Sequence, residues 1–267
     1  MSKYSSPAYR SFKTFIGELT AAAAGIIVGI HEAIPVIEEC EDSDPWKIAA
    51  ERHDIVVHGL SSRGVVDSSV RLSLVSLYSG FDLFMIDVRR SFLRIQGREW
   101  VQYDGDAPFT ALKRNVRVEA SEIIDRLGAH RVAAMDHYRL VRNAVAHPSP
   151  EARGTSKGFF DDNAELLREV RSQYGVRSGP NGIDGLTFHD IKLLSRVALD
   201  VTKAIDELLD PGDQRFRELL AHRPIDRAQS RVRNHNALTN WLKTEYGLSP
   251  DRAARIVEPH LTQELDG

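Results

Sequence analysis

The 267-residue sequence contains a single cysteine, three methionines and no long hydrophobic run. Cys40 alone cannot close a disulfide within the chain, and no Cys/His group has the spacing of a zinc site. The expected setting is therefore a reducing, cytoplasmic one. An excess of one charge is lacking too, since 35 Lys+Arg stand against 38 Asp+Glu for a net charge of −3. That balance excludes a globally basic nucleic-acid coat and confines any RNA contact to a local patch. The strongest apolar run, Ala21 to Ile30, falls short of the roughly 20 residues a bilayer span requires. It also begins late and is followed by His31 and Glu32, not by small residues suited to signal cleavage. No membrane association is expected, and the run reads as the buried part of a long N-terminal helix.

Signatures of β structure are missing: there is no alternating apolar/polar run, no hairpin dipeptide between two such runs, and no repeat period. Missing too are a phosphate-binding glycine loop, a Gly-x-Ser-x-Gly elbow and a His-Glu-x-x-His helix. Neither a cofactor nor a metal is expected.

Helical spacing fills what remains. Phe12, Phe15, Ile16, Leu19, Ala23, Ile26, Ile27, Ile30 and Ile34 recur at three- and four-residue steps over 8–40, with Pro35 expected to kink or end that helix. The acidic run Glu38, Glu39, Glu41, Asp42 and Asp44 reads as a solvated helix end and loop. A second helix is predicted from Pro45 to His58, broken by Ser61, Ser62 and Gly64. Residues 66–97 carry a broad apolar face from Leu74 to Ile95, with Asp67 as its expected cap. Further helices are predicted at 109–127, 131–147 and 187–209, and two short ones at 213–222 and 234–261. The glycine-rich stretch 151–185 reads as a loop holding one short helix near 162–174. The expected fold is all-α, a helical bundle over 61–211. An N-terminal helical segment (1–60) is expected to pack on it, and a small helical region (212–267) to follow it.

One segment stands out, Asp136-His137-Tyr138-Arg139-Leu140-Val141-Arg142-Asn143-Ala144-Val145-Ala146-His147-Pro148. On a helical wheel Ala134, Tyr138, Val141 and Val145 face one way, while Asp136, Arg139, Asn143 and His147 share the opposite stripe. Asn143 and His147 lie one turn apart, and Pro148 forces the chain to turn beside them. A guanidinium holds phosphate in a fork geometry, and an imidazole moves protons near neutral pH. Attack of a 2′-hydroxyl on its own phosphodiester requires those two functions.

This segment resembles the motif of the HEPN superfamily, helical bundles marked by Arg, four to six residues, then His, often with Asn directly after the Arg. Arg142-Asn143-Ala144-Val145-Ala146-His147 has that form. Leu74-Val75-Ser76-Leu77-Tyr78-Ser79-Gly80-Phe81-Asp82 is similar to the aromatic-rich helix that precedes it in many members. Five other Arg-to-His pairs share the spacing: Arg52/His58, Arg131/His137, Arg215/His222, Arg217/His222 and Arg255/His260. Asn143, the polar stripe and the Pro148 stop single out Arg142/His147. The resemblance covers about 66–210 and implies a metal-independent endoribonuclease of the toxin, antiviral-defence or RNA-processing kind. It implies a homodimer whose two motifs form one cleft, with RNA as substrate. It also implies a possible regulatory or antitoxin protein partner. Asp82, with Asp87 as the lesser candidate, is the acidic residue such a site takes from the earlier helix. Ser149 stands where some toxins of this family carry a tyrosine that a partner enzyme modifies, so the resemblance does not carry that mode of neutralisation over to this chain.

Arg139 shares the motif stripe and is a candidate phosphate contact, or the i, i+3 partner of Asp136. The segment 215–233 adds Arg215, Arg217, Arg223, Arg227, Arg231 and Arg233 against Glu218 and Asp226, a local basic patch that could follow an RNA backbone. The alternative for the whole chain is a non-catalytic helical adaptor that binds a protein or a nucleotide.

Overall fold

The computed structural model describes residues 4–40, 44–116 and 118–266. Glu41 and Asp42 of the acidic run lie outside the described residues. The fold is all-α, with twelve helices and no strand among the described residues: α1 (Pro7–Glu38), α2 (Pro45–Glu51), α3 (Ser62–Gln96), α4 (Pro108–Asn115), α5 (Ala120–Leu127), α6 (Ala129–Ala146), α7 (Pro150–Asp162), α8 (Ala164–Tyr174), α9 (Phe188–Leu208), α10 (Gly212–Ala221), α11 (Arg231–Tyr246) and α12 (Pro250–Asp266).

Several boundaries differ from the sequence expectation, each for a local reason. Pro35 lies inside α1, close enough to its end that the missing donor affects only the final turns. α2 stops at Glu51, because Asp54 takes a left-handed backbone (φ 57°) and Ile55 N–H returns to the Ala50 carbonyl. α3 starts a turn early: Ser61 Oγ accepts the Gly64 N–H at 3.1 Å, so Asp67 is an interior residue and not a cap. The single helix expected over 109–127 is two. The Asn115 amide reaches back to both the N–H and the carbonyl of Val101, and Val116 is extended. Residues 150–162 are helix and not loop. Ser149 caps them, Pro150 sits at the first turn, and Gly154 and Gly158 ride on the solvent side. Each of those glycines costs about 1 kcal/mol of helix stability, which cap and proline offset. Gly247, left-handed at φ 59°, divides the expected 234–261 helix into α11 and α12.

Two compact units form, and they do not follow chain order. One comprises Met1–Lys13, Leu83–Leu127 and Thr202–Gly267; the other comprises Thr14–Asp82 and Gly128–Val201. The boundaries expected at 60 and 211 do not coincide with these units, because α1, α3 and α9 each contribute residues to both. The first unit closes over Tyr4, Ile95, Phe216, Leu220, Leu238, Leu242, Tyr246, Ile256, Val257 and Leu261. Fully burying one such large side chain contributes about 1.5–3 kcal/mol. The second unit buries Leu74, Leu77, Tyr78 and Phe81 of α3, Ala134, Tyr138 and Val141 of α6, and Ile191, Leu194 and Val197 of α9.

The apolar run of α1 is mostly not buried. Ile16, Ala23 and Ile27 face inward, but Ile26 and Val28 are 53% and 60% exposed. With a 3.6-residue period, only one stripe of a continuously apolar helix meets the core. α1 and α3 each contain a window long and apolar enough to cross a membrane by length and composition; 11% of the α1 window and 44% of the α3 window is buried.

Candidate functional site

The motif lies in the second unit, at the end of α6. Gly128 (φ 83°) starts this helix, and only glycine takes that backbone without strain. Pro148 ends it. His147 leaves helical geometry (φ −130°, ψ 74°) while its N–H still reaches the Asn143 carbonyl at 2.8 Å. Ser149 and Pro150 then start α7. His147 therefore occupies a tight corner between two helices, exposed to solvent. Its ring has no hydrogen-bond partner among the described residues, and neither does the half-buried Asn143 amide.

Arg142 is held from the opposite side. Its Nη2 donates to the Asp82 carboxylate of α3, and its guanidinium carbon lies 5.4 Å from the centre of the Tyr78 ring. Tyr78 and Asp82 are one turn apart on α3, so they form two walls of a single Arg142 seat. The Arg142 side chain is 23% exposed, and its Nε is buried without a partner. The remaining edge of the guanidinium is thus the part free to meet an anion. The Tyr78 hydroxyl is buried and unpartnered among the described residues, and burial pushes its pKa up, with Asp82 adding to the shift.

Asp82 and Arg142 are thus in direct contact, whereas Asp87 belongs to the other unit and pairs with Arg90 at 3.6 Å. Arg139 bonds to Asp136 at 3.1 Å, the i, i+3 pair its spacing allows. The sequence places Tyr78 on the apolar face of α3 and in its aromatic-rich segment without giving it a role at the site; its one-turn spacing from Asp82 is the signal that pairs them in the seat.

Beneath the site, a buried knot fixes α6 against the loop that follows α8. The fully buried Asp190 carboxylate accepts the Tyr138 hydroxyl at 3.0 Å, Asn181 N–H at 2.8 Å and Thr187 N–H at 2.8 Å. Gly179 (φ 95°) passes so close to Asp190 that a Cβ would lie 3.1 Å from its Oδ1. His137 Nε2 meets the Asn181 carbonyl at 2.9 Å. Burial pulls the His137 pKa down to about 4, so this imidazole is neutral at pH 7 and is a packing element.

The tail arginines belong to the other unit and differ among themselves. Arg215 is not available to RNA as the sequence suggested. Its Nε and Nη2 donate to the Ile95 and Arg94 carbonyls at the end of α3, and its Nη1 pairs with Glu218. Arg223 lies 4.3 Å over the Trp241 ring, and Arg231 bonds to Glu258 and Thr262. Arg217 and Arg227 are exposed, with no ion pair among the described residues.

No group of three or more His, Cys, Asp or Glu side chains that could hold a metal ion occurs among the described residues. No known family model, curated protein or solved structure matches the chain.

Proposed function

We propose that the protein is a metal-independent endoribonuclease of the HEPN kind, with Arg142, Asn143, His147 and Asp82 as its working residues. The observation that carries this reading is an exposed, unpartnered imidazole one turn beyond Asn143, on the same helix end as a guanidinium fixed by Asp82. His147 takes the proton of a ribose 2′-hydroxyl, and the 2′-oxygen attacks the adjacent phosphorus. The free edge of Arg142 stabilises the added negative charge on the phosphorane oxygens. Asn143 orients the imidazole or donates to the phosphate. The bond to the 5′-oxygen breaks, and that oxygen must receive a proton. Each copy supplies one imidazole, whereas this reaction uses a base and an acid at once. A homodimer with the two His147 corners facing each other supplies both. The products are a 2′,3′-cyclic phosphate and a 5′-hydroxyl.

The test is cleavage of RNA by the purified chain in excess EDTA. Activity that persists in EDTA and vanishes in His147→Ala and in Arg142→Ala, with unchanged circular dichroism, supports the reading. Activity that survives both substitutions, or that requires magnesium, refutes it.

The solvent-facing apolar flank of α1, with Ile26, Val28 and Val36 at 53%, 60% and 66% exposure, favours the adaptor as the second reading. A monomer without RNA cleavage that binds another protein through α1 would establish it.

A further inference from the structure

The first unit contains an open cleft of about 670 Å³ between α3 and the loop that joins it to α4. The ribonuclease reading makes no use of it. One wall is Arg89 and Arg90 of α3; the other is Trp100, Gln102, Tyr103 and Asp104 of the loop.

This wall is built and not merely draped over the surface. Buried Asn115 bonds to both the N–H (2.9 Å) and the carbonyl (2.8 Å) of Val101. The Asp106 carboxylate takes the Tyr103 N–H at 2.8 Å and the Arg114 guanidinium, and Arg114 holds its pKa below the usual carboxylate range. Trp100 packs edge-on against Phe92, with ring centres 5.0 Å apart.

Two features then point to a ligand. Arg89 has one hydrogen bond, from Nη1 to the Gln102 amide oxygen at 2.6 Å, and no carboxylate partner among the described residues. Its fork is therefore oriented but not neutralised. Tyr103 is 62% exposed, and the Arg114 guanidinium covers one ring face at 4.5 Å. That stiffens the ring while leaving its opposite face open for stacking. Arg90, braced by Asp87 at 3.6 Å, adds a second cation at the mouth.

An oriented guanidinium selects phosphate, and an open aromatic face selects a planar ring. Asp104 offers the lining's carboxylate acceptor, suited to sugar hydroxyls. The volume lies in the range of small-molecule sites. We propose that this cleft binds a free mononucleotide, with its phosphate on Arg89 and Arg90 and its base stacked on Tyr103.

Calorimetric titration of the full chain with AMP, GMP, CMP and UMP tests this, with adenosine, inorganic phosphate and a short RNA as controls. At least one mononucleotide should bind saturably below ~1 mM. Adenosine and inorganic phosphate should each bind at least about tenfold more weakly than AMP, because each keeps only half of the contacts. Arg89→Gln and Tyr103→Ala should each weaken nucleotide binding about tenfold. His147→Ala, which tests the ribonuclease reading, should leave nucleotide binding intact, so the two proposals fail separately. Absence of saturable mononucleotide binding overturns the proposal. So does binding indifferent to Arg89→Gln and Tyr103→Ala, or an Arg89-dependent affinity confined to the RNA.

Discussion

Asp82→Asn is the substitution that asks whether the Arg142 seat serves the reaction. It keeps the shape of the side chain and removes the charge that meets Arg142 Nη2. The pair is partly open, with side-chain exposures of 23% and 36%, so its loss should lower stability by only about 1 kcal/mol. The effect on the reaction should be larger. Removing a donor that acts in the transition state costs about 10²–10³ in rate, which sets the expectation for Arg142→Ala. In Asp82→Asn the guanidinium remains and still rests on Tyr78 at 5.4 Å, a contact of about 0.5–2 kcal/mol. An anchored group becomes a loosely held one, and a rate loss of about tenfold, or ~1.4 kcal/mol, follows. The loss should fall on kcat more than on KM, because the free edge of Arg142 remains able to meet phosphate in the ground state. Asp82→Glu, which restores the charge on a longer arm, should recover part of it. The assay is single-turnover cleavage of a short RNA in EDTA, with thermal unfolding run in parallel. A rate that is unchanged refutes the positioning role. A rate that rises shows that the carboxylate masks Arg142 instead of presenting it.

Four further outcomes are expected. Arg215→Ala should destabilise the fold by about 1–2 kcal/mol through the carbonyls it leaves at the end of α3, with no change in RNA affinity. Arg217→Ala and Arg227→Ala should leave stability alone, and each should reduce the salt slope of RNA binding by about one if the patch meets RNA; a salt slope indifferent to both would remove this patch from the RNA surface. Asp206 accepts the Ser6 N–H at 3.0 Å, and burial raises its carboxyl to about 6, above the ordinary 3.8. A raised folded-state pKa favours the protonated form, so its stabilising share is complete below about pH 4 and lost as pH rises through 6. Asp206→Asn should therefore gain up to about 3 kcal/mol on the wild type in urea unfolding at pH 8 and nothing at pH 4; equal gains at both pH values would exclude this cause. Gly80→Ala should cost about 1–3 kcal/mol in the same assay, since its Cβ would stand 2.2 Å from the Phe15 ring; a neutral effect would mean that Phe15 moves aside freely.

Helix content and the motif corner were legible in the sequence because both rest on local rules. A 3.6-residue apolar period, Pro148 and the left-handed glycines act over one or two turns, so α3, α6 and α9 are readable without a tertiary structure. The 150–162 helix was missed where glycine composition outweighed the Ser149-Pro150 start signal, itself just as local. Arg142, Asn143 and His147 are neighbours in sequence, and their shared helix end follows from spacing alone.

What the chain folding on itself decided is everything that depends on who lies opposite. Arg215 looks like its exposed neighbours Arg217 and Arg227 until the end of α3 is set beside it. Gly80 looks like a weak point in a helix until Phe15 occupies its missing side chain. Asp82 meets Arg142 across sixty positions, and the loop wall of the cleft is held by Asn115 on Val101 and by Asp106 on Tyr103. Apolar periodicity states which face of a helix turns inward, but it carries no information on the element that face will meet. Pairings between distant segments are fixed by shape and charge in three dimensions, so the partners of each side chain, and with them both candidate sites, were settled by packing.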